Sequence, residues 1–238
     1  RTIVVASPAV QANFRKQIFD PSKLKLVDGK WLLDGCVGTS LLSEVNPAKL
    51  SAIPRDKIVK SMKRLIINNY RFFGYLEFAN YIEKKGRVSG SMDPARKALL
   101  ARAKLNEAFA NKLIVIDEVH NIRSTGDTVA KATSSQLMRL VSNVHTLKLL
   151  LLSATPMYNA PTEIIWILNL LNINDQREPL RSSDVFDQHG NLQETGETGE
   201  AILRRKSRGY ISFVEGGDRF TFPFRVWPSQ FATRINTT

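Results

Sequence analysis

Two short apolar runs of this chain end on polar side chains that could do chemistry. In the first, residues 112–116 read Lys-Leu-Ile-Val-Ile and are followed by Asp117, Glu118 and, after one spacer, His120. A buried parallel strand normally stays apolar to its end, and open α/β folds bind ligands at the carboxyl edge of the sheet. A carboxylate there suits a magnesium ion, and a second one could orient or deprotonate a water molecule. Asp117 and Glu118 are therefore the first candidates for a catalytic site.

The second apolar run ends on hydroxyl groups. Four leucines, 149–152, are followed by Ser153, Ala154 and Thr155. If the two runs form neighbouring strands, their polar ends meet at one edge of the sheet, and His120 could hydrogen-bond across to the serine or the threonine. The alternative is that the two acids merely cap a loop. The pairing of two polar strand ends favours a functional site.

The elements that must position these groups alternate along the chain. We predict strands at residues 3–7, 31–33, 65–67, 112–116 and 149–152, and helices at 10–19, from Pro94 to near Asn111, at 128–143 and after Pro161. Residues 84–92 and 188–200 are predicted to be surface loops, and 210–214 a short strand. This order indicates an α/β fold with a mostly parallel sheet and helices on both faces.

Composition limits the classes of function. The 238 residues are 43% hydrophobic, enough for one large or two small domains. The net charge of +12 favours a polyanionic partner such as nucleic acid. Cys36 is the only cysteine and the three histidines show no metal-ligand spacing, so a disulfide framework and a Cys/His zinc site are not expected. No apolar run approaches the roughly 20 residues needed to cross a bilayer, so no membrane partner is expected.

Two further features have alternative interpretations. The aromatic residues crowded between 70 and 81 could stack on bases, but a packed core is the more common use and the one we favour. The basic run 204–208 could bind phosphates or form a solvated surface.

With these motifs identified, the chain resembles the first motor lobe of superfamily 2 helicases and translocases. Asp117-Glu118-Val119-His120 matches the DExH (Walker B) motif, and Ser153-Ala154-Thr155 matches motif III. The resemblance is stronger to the Swi/Snf-type branch, on the segments Val4-Val5-Ala6-Ser7-Pro8 with Asn13-Phe14 (motif Ia), Ile66-Ile67-Asn68-Asn69-Tyr70 (motif Ib), His120-Asn121-Ile122-Arg123 and Thr155-Pro156-Met157-Tyr158-Asn159. Residues 206–212 and 222–225 resemble helicases of large DNA viruses, of the early-transcription-factor and termination types.

The resemblance implies a partial RecA-like (P-loop NTPase) lobe. Residues 1–212 would form this lobe from motif Ia to beyond motif III, and residues 213–238 an exit segment towards a second lobe. The lysine-bearing phosphate loop (motif I) and the arginine finger of the second lobe are not in this sequence. We therefore expect a piece of a longer protein, and an isolated chain without ATPase activity.

The resemblance also implies ATP and Mg²⁺ as cofactors and assigns roles to residues. The implied roles are Asp117 as magnesium ligand, Asp117, Glu118 and His120 in catalysis, Ser153, Ala154 and Thr155 in coupling, and Ser7, Pro8, Asn69 and Tyr70 in nucleic-acid binding. The expected partner is DNA, with RNA in its place as the alternative and a viral RNA polymerase as a further partner. The expected location is intracellular, in the host cytoplasm or the virion.

Two rival functions stay open from the sequence. One is a restriction-type translocase, which uses the same motor together with a nuclease domain. The other is a non-catalytic lobe that binds nucleic acid without hydrolysing ATP.

Overall fold

The computed structural model describes residues 1–35, 37–122, 128–157 and 160–213, which fall into two compact units. The first unit is residues 1–206. The second begins at Ser207 and is described to residue 213, with a turn in which Tyr210 N–H donates to the Ser207 carbonyl at 3.0 Å. Some predicted residues lie outside the described ranges: Arg123, Tyr158 and Asn159, residue 214 of the predicted strand 210–214, and residues 214–238 of the exit segment, including the viral-type segment 222–225.

Within the described ranges, the strands are β1 (Thr2–Val5), β2 (Leu24–Val27), β3 (Lys30–Leu33), β4 (Tyr70–Phe73), β5 (Leu113–Ile116) and β6 (Lys148–Leu151). The helices are α1 (Pro8–Ile18), α2 (Gly38–Val45), α3 (Arg55–Asn69), α4 (Tyr75–Gly86), α5 (Pro94–Phe109), α6 (Thr128–Asn143), α7 (Glu163–Asn174), α8 (Ser182–Val185) and α9 (Gly199–Ser207). No helix in these ranges is both long and apolar enough to cross a membrane.

The main sheet has the order β4-β1-β5-β6, and all its described strands are parallel. β2 and β3 form a separate antiparallel hairpin. The central strands read Thr-Ile-Val-Val and Leu-Ile-Val-Ile, as expected of strands buried on both faces. The predicted parallel sheet is confirmed.

Helices cover both faces of this sheet, because side chains of successive strand residues point to opposite sides. Ile3, Val5 and Ile114 pack with α4, α5, α6 and α7 in the largest apolar cluster. Val4 and Val115 face the other way and pack against α1. The chain is therefore an α/β fold, consistent with a partial RecA-like lobe.

A second apolar cluster lies in the segment between β1 and β4. Phe19, Leu24, Leu33, Ile58 and Met62 are buried together, with the β2–β3 hairpin, α2 and α3 around them. This cluster gives the segment a small core of its own.

The predicted strand at 65–67 is wrong, because these residues belong to α3. Ile58 and Met62 are buried one helical turn apart, and the apolar stripe continues into the run. Ile67 is 73% exposed, which a buried strand would not allow. The strand of this region starts only at Tyr70, so a three-residue apolar run was too short to separate strand from helix.

Smaller differences concern helix ends. α4 continues to Gly86, into residues predicted to be a loop, and α9 begins at Gly199, inside the predicted loop 188–200. The predicted start of α5 is confirmed, since the Asp93 side chain accepts from Arg96 N–H at 3.1 Å. The described residues 210–213 form no strand.

The basic run lies mostly on α9, and two of its arginines are paired. Arg204 contacts Glu200 and Arg205 contacts Glu197, each at 2.8 Å and each exposed. This pairing fits the solvated-surface interpretation of the run.

Candidate functional site

The ends of three neighbouring strands meet at the carboxyl edge of the sheet. The hydrogen-bond ladder continues past the strands: Asp117 N–H donates to the Val5 carbonyl at 2.9 Å, and Val119 N–H to the Leu152 carbonyl at 3.0 Å. After this edge β1 leads into α1 on one face, whereas β5 leads towards α6 on the other. Such a divergence of neighbouring strands opens a crevice at their carboxyl ends, where α/β folds bind ligands.

The two acids sit at this crevice with unequal surroundings. Asp117 and Glu118 are both partly buried. Glu118 adopts a left-handed backbone conformation, with φ of 48° and ψ of 51°, which costs a non-glycine residue about 1 kcal/mol. Its Oε2 lies 3.1 Å from His120 Nδ1, yet this buried oxygen accepts no hydrogen bond from the described part of the chain. A strained residue with an unsatisfied carboxylate oxygen is typical of a functional site.

His120 links the two polar strand ends. Its Nδ1 lies 2.9 Å from Ser153 Oγ, and either atom can donate, depending on the ring tautomer. Ser153 Oγ also accepts from Thr155 N–H at 3.1 Å, which holds the loop after β6 in a tight turn. The structure therefore brings together the acidic segment and the 153–155 segment, as the sequence predicted.

Tyr75 is a site residue that the sequence analysis missed. Its hydroxyl donates to the Asp117 carbonyl at 3.0 Å, across 42 positions of sequence. Burial raises the pKa of the Tyr75 phenol, and the charges of Asp117 and Glu118 add to this effect. The phenol thus remains a donor at neutral pH and fixes the backbone that carries the acids. The available signal was its position, since Gly74 and Tyr75 follow the last residue of β4 as the other polar groups follow their strands.

Ser7 and Pro8 lie on the same edge. They follow β1 directly, and Pro8 opens α1. The Ser7 side chain makes no capping hydrogen bond, and instead Gln11 Nε2 donates to the Ala6 carbonyl at 2.9 Å. The Ser7 hydroxyl is thereby not used in the helix cap.

Asn69 and Tyr70 lie at the opposite edge. Tyr70 is the first residue of β4 and is paired with Thr2, at the amino end of β1. The structure therefore does not bring these two residues together with Ser7 and Pro8. Motif Ib lies at the end of α3 and the start of β4, at the amino edge of the sheet. The β4 residues that reach the carboxyl edge are the ones just before Gly74.

The donor set at the edge fits a magnesium ion bound with a nucleotide. Mg²⁺ usually takes one or two protein carboxylates and completes its octahedron with phosphates and water. Asp117 can supply such a carboxylate. No group of three or more His, Cys, Asp or Glu residues in the described ranges could hold a metal by itself.

A comparison with protein-family models shows which family the chain belongs to. Residues 58–207 match the model of the SNF2-related domain, which covers α3 to α9 and includes both polar strand ends. The chain belongs to the SNF2-related domain family. The match does not include Ser7 and Pro8.

Curated relatives of this SNF2-related chain are viral proteins named as helicases. It is 33% identical over 119 residues to a protein of Acanthamoeba polyphaga mimivirus provisionally named ATP-dependent RNA helicase L377 (49% of this chain, 10% of the relative). It is 27% identical over 157 residues to the provisionally named helicase 009L of Frog virus 3 (66% and 14%). It is 25% identical over 230 residues to a second mimivirus protein, provisionally named ATP-dependent RNA helicase R563 (94% and 34%).

These alignments span only about a tenth to a third of the relatives' own lengths. No solved structure matches the chain.

Proposed function

We propose that this chain is the first motor lobe of an ATP-dependent helicase or translocase that acts on DNA. The contact of 2.9 Å between His120 Nδ1 and Ser153 Oγ carries this proposal, because it joins an acid-bearing and a hydroxyl-bearing strand end at the carboxyl edge. RNA is the alternative substrate, and it is favoured by the names of two relatives.

Asp117 and Glu118 would have different roles in hydrolysis. Asp117 would hold Mg²⁺ bound with ATP, and the metal would neutralise charge on the phosphates. The Glu118 side chain is 44% exposed although its Oε2 is buried beside His120, so its other carboxylate oxygen would accept from the attacking water. The Tyr75 hydrogen bond to the Asp117 carbonyl keeps both carboxylates in position.

His120 and the 153–155 segment couple the nucleotide state to movement. Nδ1 of His120 contacts Ser153 Oγ at 2.9 Å and lies 3.1 Å from Glu118 Oε2. A change at Glu118 is therefore transmitted to the loop after β6, in which Ala154 and Thr155 are exposed. Thr155 would pass it on through the backbone bond to Ser153 Oγ.

Nucleic acid would run past Ser7 and Pro8 at the start of α1. Contacts there go mainly to phosphate and sugar, so binding is poorly sequence-specific and strongly salt-dependent. Asn69 and Tyr70 remain proposed contacts, at the other edge of the sheet.

The rest of the motor is proposed to lie outside this chain. Residues 1–212 would be the lobe, residues 213–238 the exit segment, and the phosphate loop and second lobe would come from other parts of a longer protein. The proposed role is in viral transcription, with a viral RNA polymerase as partner, and it rests on the resemblance of residues 206–212 and 222–225 to viral helicases of that type. An intracellular site of action follows from the need for ATP and nucleic acid.

Nucleic-acid-stimulated ATP hydrolysis by the full-length protein tests the proposal. Asp117→Ala should lower the rate by about 10²-fold or more, because the metal loses its protein ligand. The matched control is Asp56→Ala, which removes an exposed acid of α3. Undiminished hydrolysis by the Asp117 variant would end the proposal.

Two further arms separate the alternatives. The isolated 238-residue chain should hydrolyse ATP no faster than its Glu118→Gln variant, since the phosphate loop and arginine finger are missing. A full-length protein that binds nucleic acid but shows no turnover would favour the non-catalytic lobe. A nuclease activity that depends on ATP would favour the restriction-type translocase.

A further inference from the structure

A basic cleft lies at the amino edge of the sheet, opposite the candidate ATP site. Arg71 is the second residue of β4 and Lys112 directly precedes β5, which fixes the cleft at this edge. The cavity measures about 480 Å³. Its cationic side chains are Arg1, Arg71, Lys84, Lys85, Lys104 and Lys112, and its one acid is Glu107. We refer to it as the amino-edge cleft.

No cation of the amino-edge cleft forms a close ion pair with a carboxylate of the described residues. Their hydrogen bonds go to uncharged oxygens: Arg71 donates to Tyr81 Oη at 2.8 Å, Lys104 to the Arg87 carbonyl at 2.9 Å, and Lys112 to the Ala108 carbonyl. Elsewhere the same surface does pair its charges, as in Arg87 with Glu83. The cleft therefore holds a concentrated positive potential.

The pKa of Lys112 is affected by this potential. Its side chain is partly buried, and burial lowers the pKa of its ammonium group. The nearby charges of Arg71, Arg1 and Lys85 lower this pKa further. An anion in the cleft would relieve both effects, because it would replace lost hydration and offset the repulsion.

The aromatic ring in the cleft, that of Tyr81, already packs against other rings and against two cations. Tyr81 stacks on Phe73 with centroids 4.9 Å apart and meets the edge of Phe109 at 5.6 Å. Arg71 Cζ and Lys85 Nζ lie 5.8 and 5.6 Å from its centroid. The ring thus orients cations rather than offering a face to a base. A ligand of the cleft would therefore contact the cations through oxyanions rather than stack on the ring.

We propose that the amino-edge cleft binds phosphates of a nucleic-acid backbone, at a site separate from the carboxyl edge. Cations from β4, α4 and α5 surround the cavity, which suits the repeated charges of an extended polyanion better than a single small ion. Binding there is independent of base sequence. The choice of nucleic acid over other phosphate compounds rests on the proposed function, whereas the phosphate chemistry rests on the cleft itself.

Binding of a fluorescent single-stranded oligonucleotide to the full-length protein, measured by anisotropy without ATP, tests the proposal. The variant Lys84→Gln/Lys85→Gln/Lys104→Gln should bind about 10-fold more weakly at low salt, and its slope of log K against log salt should shrink by about 0.7 for each phosphate that is no longer neutralised. The corresponding triple Lys→Arg variant should bind like the parent, because charge is kept. The matched control is Lys57→Gln/Lys60→Gln/Lys63→Gln, three exposed lysines of α3.

Several results would overturn the proposal. Equal weakening by the two glutamine triples would mean that general surface charge accounts for binding. Unchanged affinity of the cleft triple, with an unchanged unfolding midpoint, would show that the cleft does not bind nucleic acid. Protection of the cleft lysines from acetylation by pyrophosphate but not by the oligonucleotide would overturn the nucleic-acid assignment. Asp117→Asn separates the two proposals, since it should abolish hydrolysis while the cleft still binds.

Discussion

His120 Nδ1 lies 2.9 Å from Ser153 Oγ, although 33 positions of sequence separate the two residues. Each follows a different strand of the parallel sheet, so the contact depends on β5 and β6 being neighbours in register. It joins the segment that carries the acids to the segment that carries the hydroxyls. In the proposed motor, this bond would link ATP hydrolysis to movement.

The first prediction concerns the energy of this link. In a double-mutant cycle with His120→Ala and Ser153→Ala, urea unfolding should give a coupling free energy of about 0.5–1.5 kcal/mol, the net value of a hydrogen bond. The control cycle combines His120→Ala with Ser142→Ala, since the Ser142 hydroxyl donates within α6 to the Met138 carbonyl. The control pair should be additive. Strict additivity of the His120 and Ser153 variants would show that the hydrogen bond does not contribute.

The sequence predicted the site better than the segments around it. The polar ends of β5 and β6 could be recognised because an apolar run that stops on Asp117 or Ser153 is unusual for a buried strand. α6 was predicted with its observed bounds, since its apolar residues keep a helical period over many turns. Residues 65–67 offered too few positions to show any period, and they were assigned to a strand.

Tyr75 was missed for a different reason, because the strand that it follows, β4, was not itself predicted. Its role depends on where the hydroxyl ends up after β4 takes an edge position in the sheet, 42 positions away from Asp117. The separation of Asn69 from Ser7 likewise follows from the strand register, which an isolated motif does not contain. Motifs therefore pointed to the candidate catalytic residues, but only the topology showed which edge each one occupies.

The second prediction concerns the pH dependence of stability through Tyr75. Burial raises the pKa of this phenol above its ordinary value of 10.0, so the folded state keeps a proton that the unfolded chain loses. Stability from this residue is therefore complete below about pH 10 and is lost as the pH rises through the raised value. Tyr75→Phe should cost about 0.5–1.5 kcal/mol at neutral pH, because the bond to the Asp117 carbonyl is removed.

Urea midpoints on either side of about pH 10 measure this effect. The parent protein should lose stability more steeply than Tyr75→Phe over this range. Ser142→Ala, which removes a non-titrating hydroxyl that donates to the Met138 carbonyl, should keep the parent's slope. Parallel curves for the parent and Tyr75→Phe would contradict the prediction.

The third prediction sets stability against function at Glu118. Its φ of 48° is a conformation that glycine adopts freely and glutamine does not. The free energy of unfolding of Glu118→Gly should therefore exceed that of Glu118→Gln by about 1 kcal/mol, which raises the urea midpoint. Both variants lose the carboxylate that accepts from water, so both should lower ATP hydrolysis of the full-length protein by about 10²- to 10⁴-fold.

Gln176 provides the matched control, because its φ of 57° is nearly the same and it lies just beyond the end of α7. Gln176→Gly should gain a similar free energy of unfolding while the rate of hydrolysis stays unchanged. A Glu118→Gly protein less stable than Glu118→Gln would mean that the left-handed backbone is not strained. Full hydrolysis by either Glu118 variant would instead remove this residue from the catalytic step. If both expectations hold, the strain at Glu118 is retained for function, since a more stable alternative residue exists at the same position.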